Sequence, residues 1–139
     1  MATQYPCAFS IDGGATGGRL SGGFPNGEDP TLDNGDSILV TVTCDASVGS
    51  GGLTGTFVFT GKAEGQGPSP FVNGPNSNFV CITTYPGTPS STSDDGSMTY
   101  SFPVWSYGGN LKGSYELTFI ATNAAGLQWS EDPEFETGN

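Results

Sequence analysis

The chain has 139 residues and a formal net charge of -11, with Arg19, Lys62 and Lys112 as its only cations. This length predicts a single domain, residues 1–139, that is large enough to bury a hydrophobic core. The charge predicts repulsion from phosphate groups and from anionic lipid surfaces, so neither nucleic acid nor a membrane is an expected partner.

The first element predicted is a strand over residues 5–11. Tyr5, Cys7, Phe9 and Ile11 alternate with smaller or polar residues, which indicates one buried face. Pro6 has no N–H group to donate, so we expect an edge strand or the opening of a strand.

Residues 12–36 predict a long, Gly-rich and acidic loop, which a short strand around residues 19–24 could interrupt. Long loops inside compact domains are commonly functional, so we expect this one to dock a protein partner. The candidate docking residues are Arg19, Phe24, Asp29 and Asp33.

The same loop offers a calcium hypothesis, because Asp29, Asp33, Asn34 and Asp36 supply oxygen ligands within a short stretch. The spacing of an EF-hand is absent, however. Residues 33–36 also match a type I′ turn that leads into a strand, and we favour this interpretation. No metal or other cofactor is therefore expected.

Five strands are predicted in the middle of the chain, at residues 37–44, 53–60, 78–84, 97–102 and 104–107. The strand at 78–84 has apolar residues on both faces, which predicts a central position. Flexible or polar connections are expected at 47–52, 61–75 and 85–96, and Pro103 is expected to break the line between the last two strands.

Residues 113–126, GSYELTFIATNAAG, alternate over their whole strand and end in a turn with a glycine. A second strand at 127–131 completes a β-hairpin. The whole pattern predicts an all-β antiparallel sandwich of about seven to eight strands.

This hairpin resembles the penultimate strand and final turn of bacterial immunoglobulin-like domains. The resemblance implies an immunoglobulin-like sandwich in which Tyr115 is a corner residue, with its ring in the core and its hydroxyl bonded to nearby backbone. Calcium-binding relatives often carry Asp where this chain has Asn123, which argues against calcium at the turn. The sequence Asp132-Pro133-Glu134-Phe135 also resembles the end of the small bacterial DP-EP family, whose function is unassigned.

The three cysteines, Cys7, Cys44 and Cys81, each lie in phase with apolar neighbours in a predicted strand. Their odd number and wide spacing favour buried free thiols. A bridge between Cys44 and Cys81 stays open as an alternative in an oxidising compartment.

The chain has no histidine, which excludes Ser-His-Asp and Cys-His nucleophile systems and every metal site that uses His. No spacing picks out a pair of catalytic carboxylates, so no enzyme is expected. An exposed aromatic platform formed by Trp105, Tyr107 and Trp129 could hold a sugar, although large aromatic residues in strands are more often buried.

These features predict a non-enzymatic structural or binding protein in a larger assembly, such as a phage capsid decoration protein or another virion surface protein. Its partner would be a capsid lattice or its own copies, so we expect it to be oligomeric or assembly-bound. Two alternatives are a carbohydrate-binding module and a free-standing cytosolic immunoglobulin-like protein. The first residues lack a basic segment and an apolar segment, so a virion or cytoplasmic location is expected, without a secretion signal.

Overall fold

The computed structural model describes residues 2–12, 19–49, 51–61, 80–92, 96–102, 104–107 and 113–137. Within these residues the chain forms twelve strands, a short α-helix and a 3-10 turn. The helix is α1 (Ala46–Gly49), and the 3-10 turn is Pro25–Gly27. The strands are β1 (Gln4–Asp12), β2 (Arg19–Gly23), β3 (Thr31–Leu32), β4 (Ser37–Cys44), β5 (Leu53–Gly61), β6 (Val80–Pro86), β7 (Thr88–Thr92), β8 (Met98–Ser101), β9 (Trp105–Ser106), β10 (Gly113–Asn123), β11 (Gln128–Glu131) and β12 (Glu134–Thr137).

Two sheets pack against each other as an all-β sandwich, as the sequence predicts. Sheet A has the order β2-β1-β4-β8-β7, with β9 also paired with β4. Sheet B has the order β3-β12-β10-β5-β6, with β11 also paired with β10.

Each sheet contains one parallel pair, so the sandwich is mixed rather than wholly antiparallel. β1 pairs in parallel with β4, and β3 pairs in parallel with β12. A parallel pair needs a long connection that returns the chain to its starting end. Residues 13–36 supply that connection between β1 and β4.

The core lies between the two inner faces because the apolar residues alternate along each long strand. In β4, Ile38, Val40 and Val42 are buried, and the residues between them are only partly covered. In β10, Leu117 and Phe119 are buried in the same manner. This agreement between period and burial fixes the register, since a shift by one residue would turn each apolar set toward solvent.

Aromatic rings fill the centre of the core. Phe119 stacks on Phe9 with ring centroids 5.1 Å apart, which joins sheet B to sheet A. Phe57 and Phe102 also contact Phe119, at centroid distances of 5.2 and 5.4 Å. Aromatic pairs at these distances contribute beyond the area they bury, so this cluster ties the sheets together.

Two pairs of successive strands each run along one neighbouring strand, β8 and β9 along β4, and β11 and β12 along β10. Ser101 lies opposite Thr41 and Trp105 opposite Ile38, so one extra residue is present between Ser101 and Trp105. This shift in register confirms the predicted break between the two strands, and Pro103 itself lies outside the described residues. β11 and β12, by contrast, keep one register along β10, and Pro133 still accepts a 2.9 Å hydrogen bond from the Leu117 N–H.

Some connections contain more regular structure than the sequence predicts. The segment 12–36 is not one loop, because it contains the expected strand β2 and also β3. The polar stretch 85–96 contains β7, whose pairing with β8 includes an irregularity between Pro89 and Ser91. The stretch 47–52 begins within α1, where the Asp45 carboxylate accepts a hydrogen bond from the Ser47 N–H.

β6 is described from Val80 onward, and the first two residues predicted for this strand, 78 and 79, lie outside the described residues. Among the described strands β6 pairs with β5 alone rather than lying centrally. The glycine segment 13–18, most of the connection 61–75 and the turn 108–110 lie outside the described residues, as do Lys62 and Lys112. In the described part of the chain, no helix has the length and apolar character needed to cross a membrane.

Candidate functional site

A tight turn at residues 24–29 shapes one edge of the sandwich. The Gly27 N–H donates to the Phe24 carbonyl and the Glu28 N–H donates to the Pro25 carbonyl, each at 3.2 Å. Asn26 has a φ of 61° and Gly27 a φ of 67°, a conformation that Asn and Gly tolerate best. The turn therefore leaves Glu28 and Asp29 exposed at its end.

Phe24, predicted as a docking residue, belongs to the core. Its side chain is only 6% exposed and its ring meets the Phe135 ring edge-on, with centroids 6.5 Å apart. Phe135 in turn stacks on Tyr115 at 5.5 Å. Phe24 thus anchors the turn to sheet B.

A groove of about 590 Å³ lies beside this turn. Part of its wall is apolar and comes from Pro6, Ala8, Phe24, Pro25 and Pro133. The polar side chains of the wall are the carboxylates of Glu28, Asp29 and Glu134. Apolar walls with a few convergent polar groups are typical of binding sites.

Two glycines let β2 end close to the groove. A side chain at Gly22 would place its Cβ 2.3 Å from the Ala8 carbonyl oxygen, and Gly22 has a φ of 116°. A Cβ at Gly23 would lie 3.4 Å from Cβ of Pro133, which lies between β11 and β12 of sheet B. Because Gly22 and Gly23 have no side chains, the edges of the two sheets can lie close together where the groove opens.

The other two predicted docking residues lie away from the groove. Arg19 is exposed at the start of β2 and lies opposite Asp12, at the far end of that strand from Gly23. Asp33 is exposed in the turn that precedes β4. The structure thus places Phe24 and Asp29 together in the groove wall, without Arg19 or Asp33.

Of the four residues considered as calcium ligands, Asp36 binds backbone N–H groups in this structure. Asp36 is buried, and its carboxylate accepts hydrogen bonds from the Thr3 N–H at 2.8 Å and the Asp33 N–H at 2.9 Å. Among the described residues, no group of three or more His, Cys, Asp or Glu is placed to hold a metal ion. The favoured interpretation as a turn is confirmed by the hydrogen bond from the Asp36 N–H to the Asp33 carbonyl.

The type of this turn differs from the prediction. Gly35 has a φ of 94°, whereas Asn34 does not have a positive φ. A positive φ at the third residue alone is typical of a type II turn, whereas a type I′ turn needs it at both central residues. Because this turn joins no adjacent antiparallel strands, the twist that favours type I′ hairpins does not apply.

Two of the three residues predicted for an exposed aromatic platform are buried instead. Tyr107 is 1% exposed and Trp129 is 7% exposed, so neither offers a ring face to a sugar. Trp105 pairs with Ile38 through β9, and its side chain lies outside the described part of the structure. Burial in the strands is the outcome that large aromatic residues favour.

The tyrosine corner is only half formed. Tyr115 has its ring in the core, as the resemblance implies, but its buried hydroxyl has no hydrogen-bond partner within the part of the chain that the structure describes. Tyr100 instead donates from its hydroxyl to the Gly49 carbonyl at 2.5 Å. This bond gives a partner to the carbonyl of Gly49, the last residue of α1, and links the helix to sheet A.

Cys7 and Cys44 are buried free thiols, as the sequence favours, so the alternative bridge from Cys44 is not formed. The side chain of Cys81 lies outside the described residues. Burial raises the pKa of the Cys7 thiol to about 12. Burial, followed by the charge of Asp45, also raises the pKa of Cys44. Both thiols are therefore protonated and weakly nucleophilic at neutral pH.

The sequence pattern singles out Asp29, but it indicates neither Glu28 nor the groove itself. Pro6, Glu28 and Pro133 come from distant parts of the chain and meet only because β1, the turn and β12 converge. The sequence signal that pointed toward the groove was Pro6. A proline has no N–H to donate, so it indicates that the start of β1 is not fully paired. In comparisons with known proteins, neither a protein-family model nor a curated protein matches this chain.

Proposed function

We propose that the protein is a non-enzymatic component of a larger assembly, such as a phage capsid decoration protein or another virion surface protein. The observation that carries the proposal is the groove at the sandwich edge. It combines an apolar wall with exposed carboxylates, and the 24–29 turn that shapes it belongs to the segment predicted for docking. An immunoglobulin-like sandwich with such an edge would suit attachment to a protein surface.

The side chains available for chemistry support binding rather than catalysis. The chain has no histidine, so the most common general acid–base is missing. The thiols of Cys7 and Cys44 are buried with raised pKa values, which disfavours the thiolate that acts as a nucleophile. What remains at the surface is mainly hydroxyl and carboxylate groups, which serve hydrogen bonding and charge pairing.

The charge supports a protein as the partner. A surface with a net charge of -11 repels phosphate, whether of nucleic acid or of anionic lipid. A capsid or tail protein with a basic or neutral docking surface would not be repelled. The high negative charge would also keep free copies apart before they attach.

Sedimentation tests this proposal. A lysate of the native source is separated on a density gradient, and the protein is located in the fractions by mass spectrometry. We expect it in a fast-sedimenting particle fraction, at many copies per particle. Recovery only at the top of the gradient, as a monomer or a small oligomer, would contradict an assembly role.

A docking role for the 24–29 turn is tested with substitutions rather than with a deletion. Removing residues 13–27 would delete Leu20 and Phe24, both of which are buried, and would damage the core. Replacing the exposed residues Glu28 and Asp29 by Lys reverses the charge of the groove without touching the core. We expect the double variant to fold normally and to leave the particle fraction.

A further inference from the structure

The groove lies beside β1. One edge of this strand pairs with another strand along only its second half. β1 pairs with β4 from Gln4 to Ile11, but its pairing with β2 runs only from Ala8 to Asp12. Among the described strands, none occupies the position beside residues 4–7 on the side of β2. Pro6, in the middle of this half, lines the groove.

The backbone groups on this edge are mostly acceptors. The Ala8 carbonyl oxygen faces β2, since it lies 2.3 Å from the position of a Cβ at Gly22. The Thr3 carbonyl faces the other side, since it accepts from the Ser37 N–H of β4. In a strand the N–H and C=O of one residue face the same edge, and those of the next residue face the opposite edge. The backbone groups of Gln4 and Pro6 therefore face the same side as those of Ala8. Proline has no N–H, and this edge therefore offers two carbonyls and one amide donor.

The polar side chains of the groove are also hydrogen-bond acceptors. Glu28 and Asp29 are exposed carboxylates, and they can only accept hydrogen bonds when ionised. The remaining described wall residues are Ala, Gly, Pro and Phe together with Glu134. No lysine, arginine or other donor side chain stands among them. A ligand that fits must bring donors, positive charge and apolar surface.

We infer that the groove binds an extended basic segment of a protein partner. The segment adds as a short strand beside residues 4–7, in line with β2, and donates its N–H groups to the carbonyls of Gln4 and Pro6. Its Lys or Arg side chains lie against Glu28 and Asp29, with their aliphatic stems over the prolines of the wall. This inference rests on the proposed function in that it names the chemistry of the assembly partner.

A second copy of this chain is a poorer occupant. Each copy has a net charge of -11 and only three cations, so two copies repel each other. The one described cation, Arg19, lies at the end of β2 that is far from the groove. Charge complementarity therefore favours a basic partner over self-association.

Peptide binding to the purified full chain tests the inference. The probe is a fluorescein-labelled peptide, Lys-Val-Lys-Val-Thr-Val-Lys-Val, and the comparison peptide has Glu in place of Lys. Anisotropy is measured at about 20 mM and about 200 mM NaCl, because attraction between exposed charges weakens with salt. We expect the basic peptide to bind, with weaker binding at the higher salt, and the acidic peptide not to bind.

Matched variants separate the groove from the general charge of the protein. Glu28→Gln with Asp29→Asn should weaken binding about tenfold, since two exposed ion pairs are lost. Asp12→Asn with Glu136→Gln removes the same charge from exposed residues outside the groove wall and should bind as the wild type does. Equal weakening by both pairs would mean non-specific attraction and would overturn the inference.

N-methylated peptides test the strand geometry. Methyl groups on alternate backbone nitrogens remove the N–H groups that face one edge of an added strand. Two peptides are compared, each methylated on one of the two alternating sets of nitrogens. The peptide that lacks the N–H groups facing β1 should not bind, and the other peptide should bind as the unmodified one does. Chemical shifts in the NMR spectrum should change at residues 4–8 and 24–29. Equal binding by both methylated peptides, or shifts elsewhere, would overturn strand addition.

The two proposals can fail separately. If the protein sediments with particles and the Glu28→Gln, Asp29→Asn variant still does so, the assembly role stands and the groove is not its docking site. If the protein never sediments with particles but the basic peptide binds in the groove, the binding chemistry stands and the assembly role fails.

Discussion

Gly22 occupies a backbone position that other residues adopt only with strain. Its φ is 116°, and a Cβ would lie 2.3 Å from the Ala8 carbonyl oxygen. We therefore expect Gly22→Ala to lower the free energy of unfolding by at least about 2 kcal/mol. Urea unfolding monitored by tryptophan fluorescence measures the change.

Gly27 is the matched control for this substitution. It also has a positive φ, of 67°, but nothing lies within 4 Å of the position that a Cβ would take. Gly27→Ala should therefore cost about 1 kcal/mol, which is the cost of the backbone conformation alone. A Gly27→Ala variant that loses as much stability as Gly22→Ala would show that the contact with Ala8 is unimportant.

Cys7 makes stability depend on pH in the alkaline range. Its thiol is neutral in the folded protein up to a pKa of about 12, whereas in the unfolded chain it ionises near its ordinary value of 9.0. Between these values the unfolded chain binds fewer protons, so the free energy of unfolding falls as pH rises. The stabilising effect is fully present below about pH 9 and is lost by about pH 12.

A comparison with Cys7→Ala isolates this effect. Between about pH 9 and about pH 10 the wild type should lose about 1 kcal/mol more stability than the variant does, because only the wild type has the Cys7 thiol. Urea unfolding in the presence of a reductant measures both proteins, and Cys44 and the tyrosines titrate in each. Parallel pH profiles would contradict a buried, neutral Cys7.

The burial of Cys7 could be predicted from the sequence, whereas the role of Phe24 could not. Cys7 lies in phase with Phe9 and Ile11, and period-2 alternation is a local property that a single strand displays. Phe24 stands in a stretch of glycine and turn residues without periodicity. Its burial depends on contact with Phe135, a residue far away in the chain.

At the scale of the elements, Asn123 links the final hairpin to α1. Its Oδ1 accepts hydrogen bonds from the Ala125 N–H at 3.1 Å and the Leu127 N–H at 3.0 Å, which holds the turn. Its Nδ2 donates to the Val48 carbonyl at 3.4 Å. Asn123 is buried, and its hydrogen bond to the Val48 carbonyl is buried with it. An amide satisfies both sets of partners, and a carboxylate cannot.

Asn123→Asp should therefore destabilise the protein, although the shape of the side chain is kept. The carboxylate would lose the donor and would face the Val48 carbonyl, which costs about 1–3 kcal/mol. Thermal and urea unfolding measure the loss, with Asn26→Asp as the control at an exposed turn position. A loss no greater than that of the control would show that the link to α1 contributes little.

Strands that carry their own pattern could be predicted, and strands that depend on neighbours could not. β4 and β10 alternate over eight and eleven residues, and the structure confirms both. β7 has the sequence TPSST, which reads as a polar loop, and it is a strand because β8 offers it an edge. β12 follows an Asp-Pro pair that normally ends a strand, yet β10 holds it in register.

For the whole molecule, the large negative charge sets the response to salt. Fourteen acidic residues outnumber three cations, and the excess negative charges repel one another more in the compact state than in the expanded chain. Raising NaCl from about 10 mM to about 150 mM shortens the screening length from about 30 Å to about 8 Å. We expect the midpoint of urea unfolding to rise over this range.

Choline chloride at the same ionic strength is the control for this measurement. If screening of the net charge is the cause, both salts should raise the midpoint equally. A rise in NaCl alone would instead indicate a bound sodium ion, and no rise in either salt would contradict a repulsive contribution.

The sandwich as a class could be predicted from the sequence, but the order of its strands and its groove could not. Alternating segments separated by turn residues indicate two packed sheets whichever way the strands are connected. The parallel contact of β1 with β4 depends on how the intervening segment crosses the molecule. The groove exists only where that segment passes both Pro6 and Pro133.

The order of the strands also has a consequence for how the chain folds during synthesis. β5 obtains its partner β10 only after the segment between Gly61 and Gly113 has left the ribosome. Until then Phe57, which the completed core buries, lacks Phe119 beside it. Sheet topologies dominated by such distant pairings fold slowly. Nascent chains paused before β10 should therefore be protease-sensitive, and the fold should be acquired late, close to release.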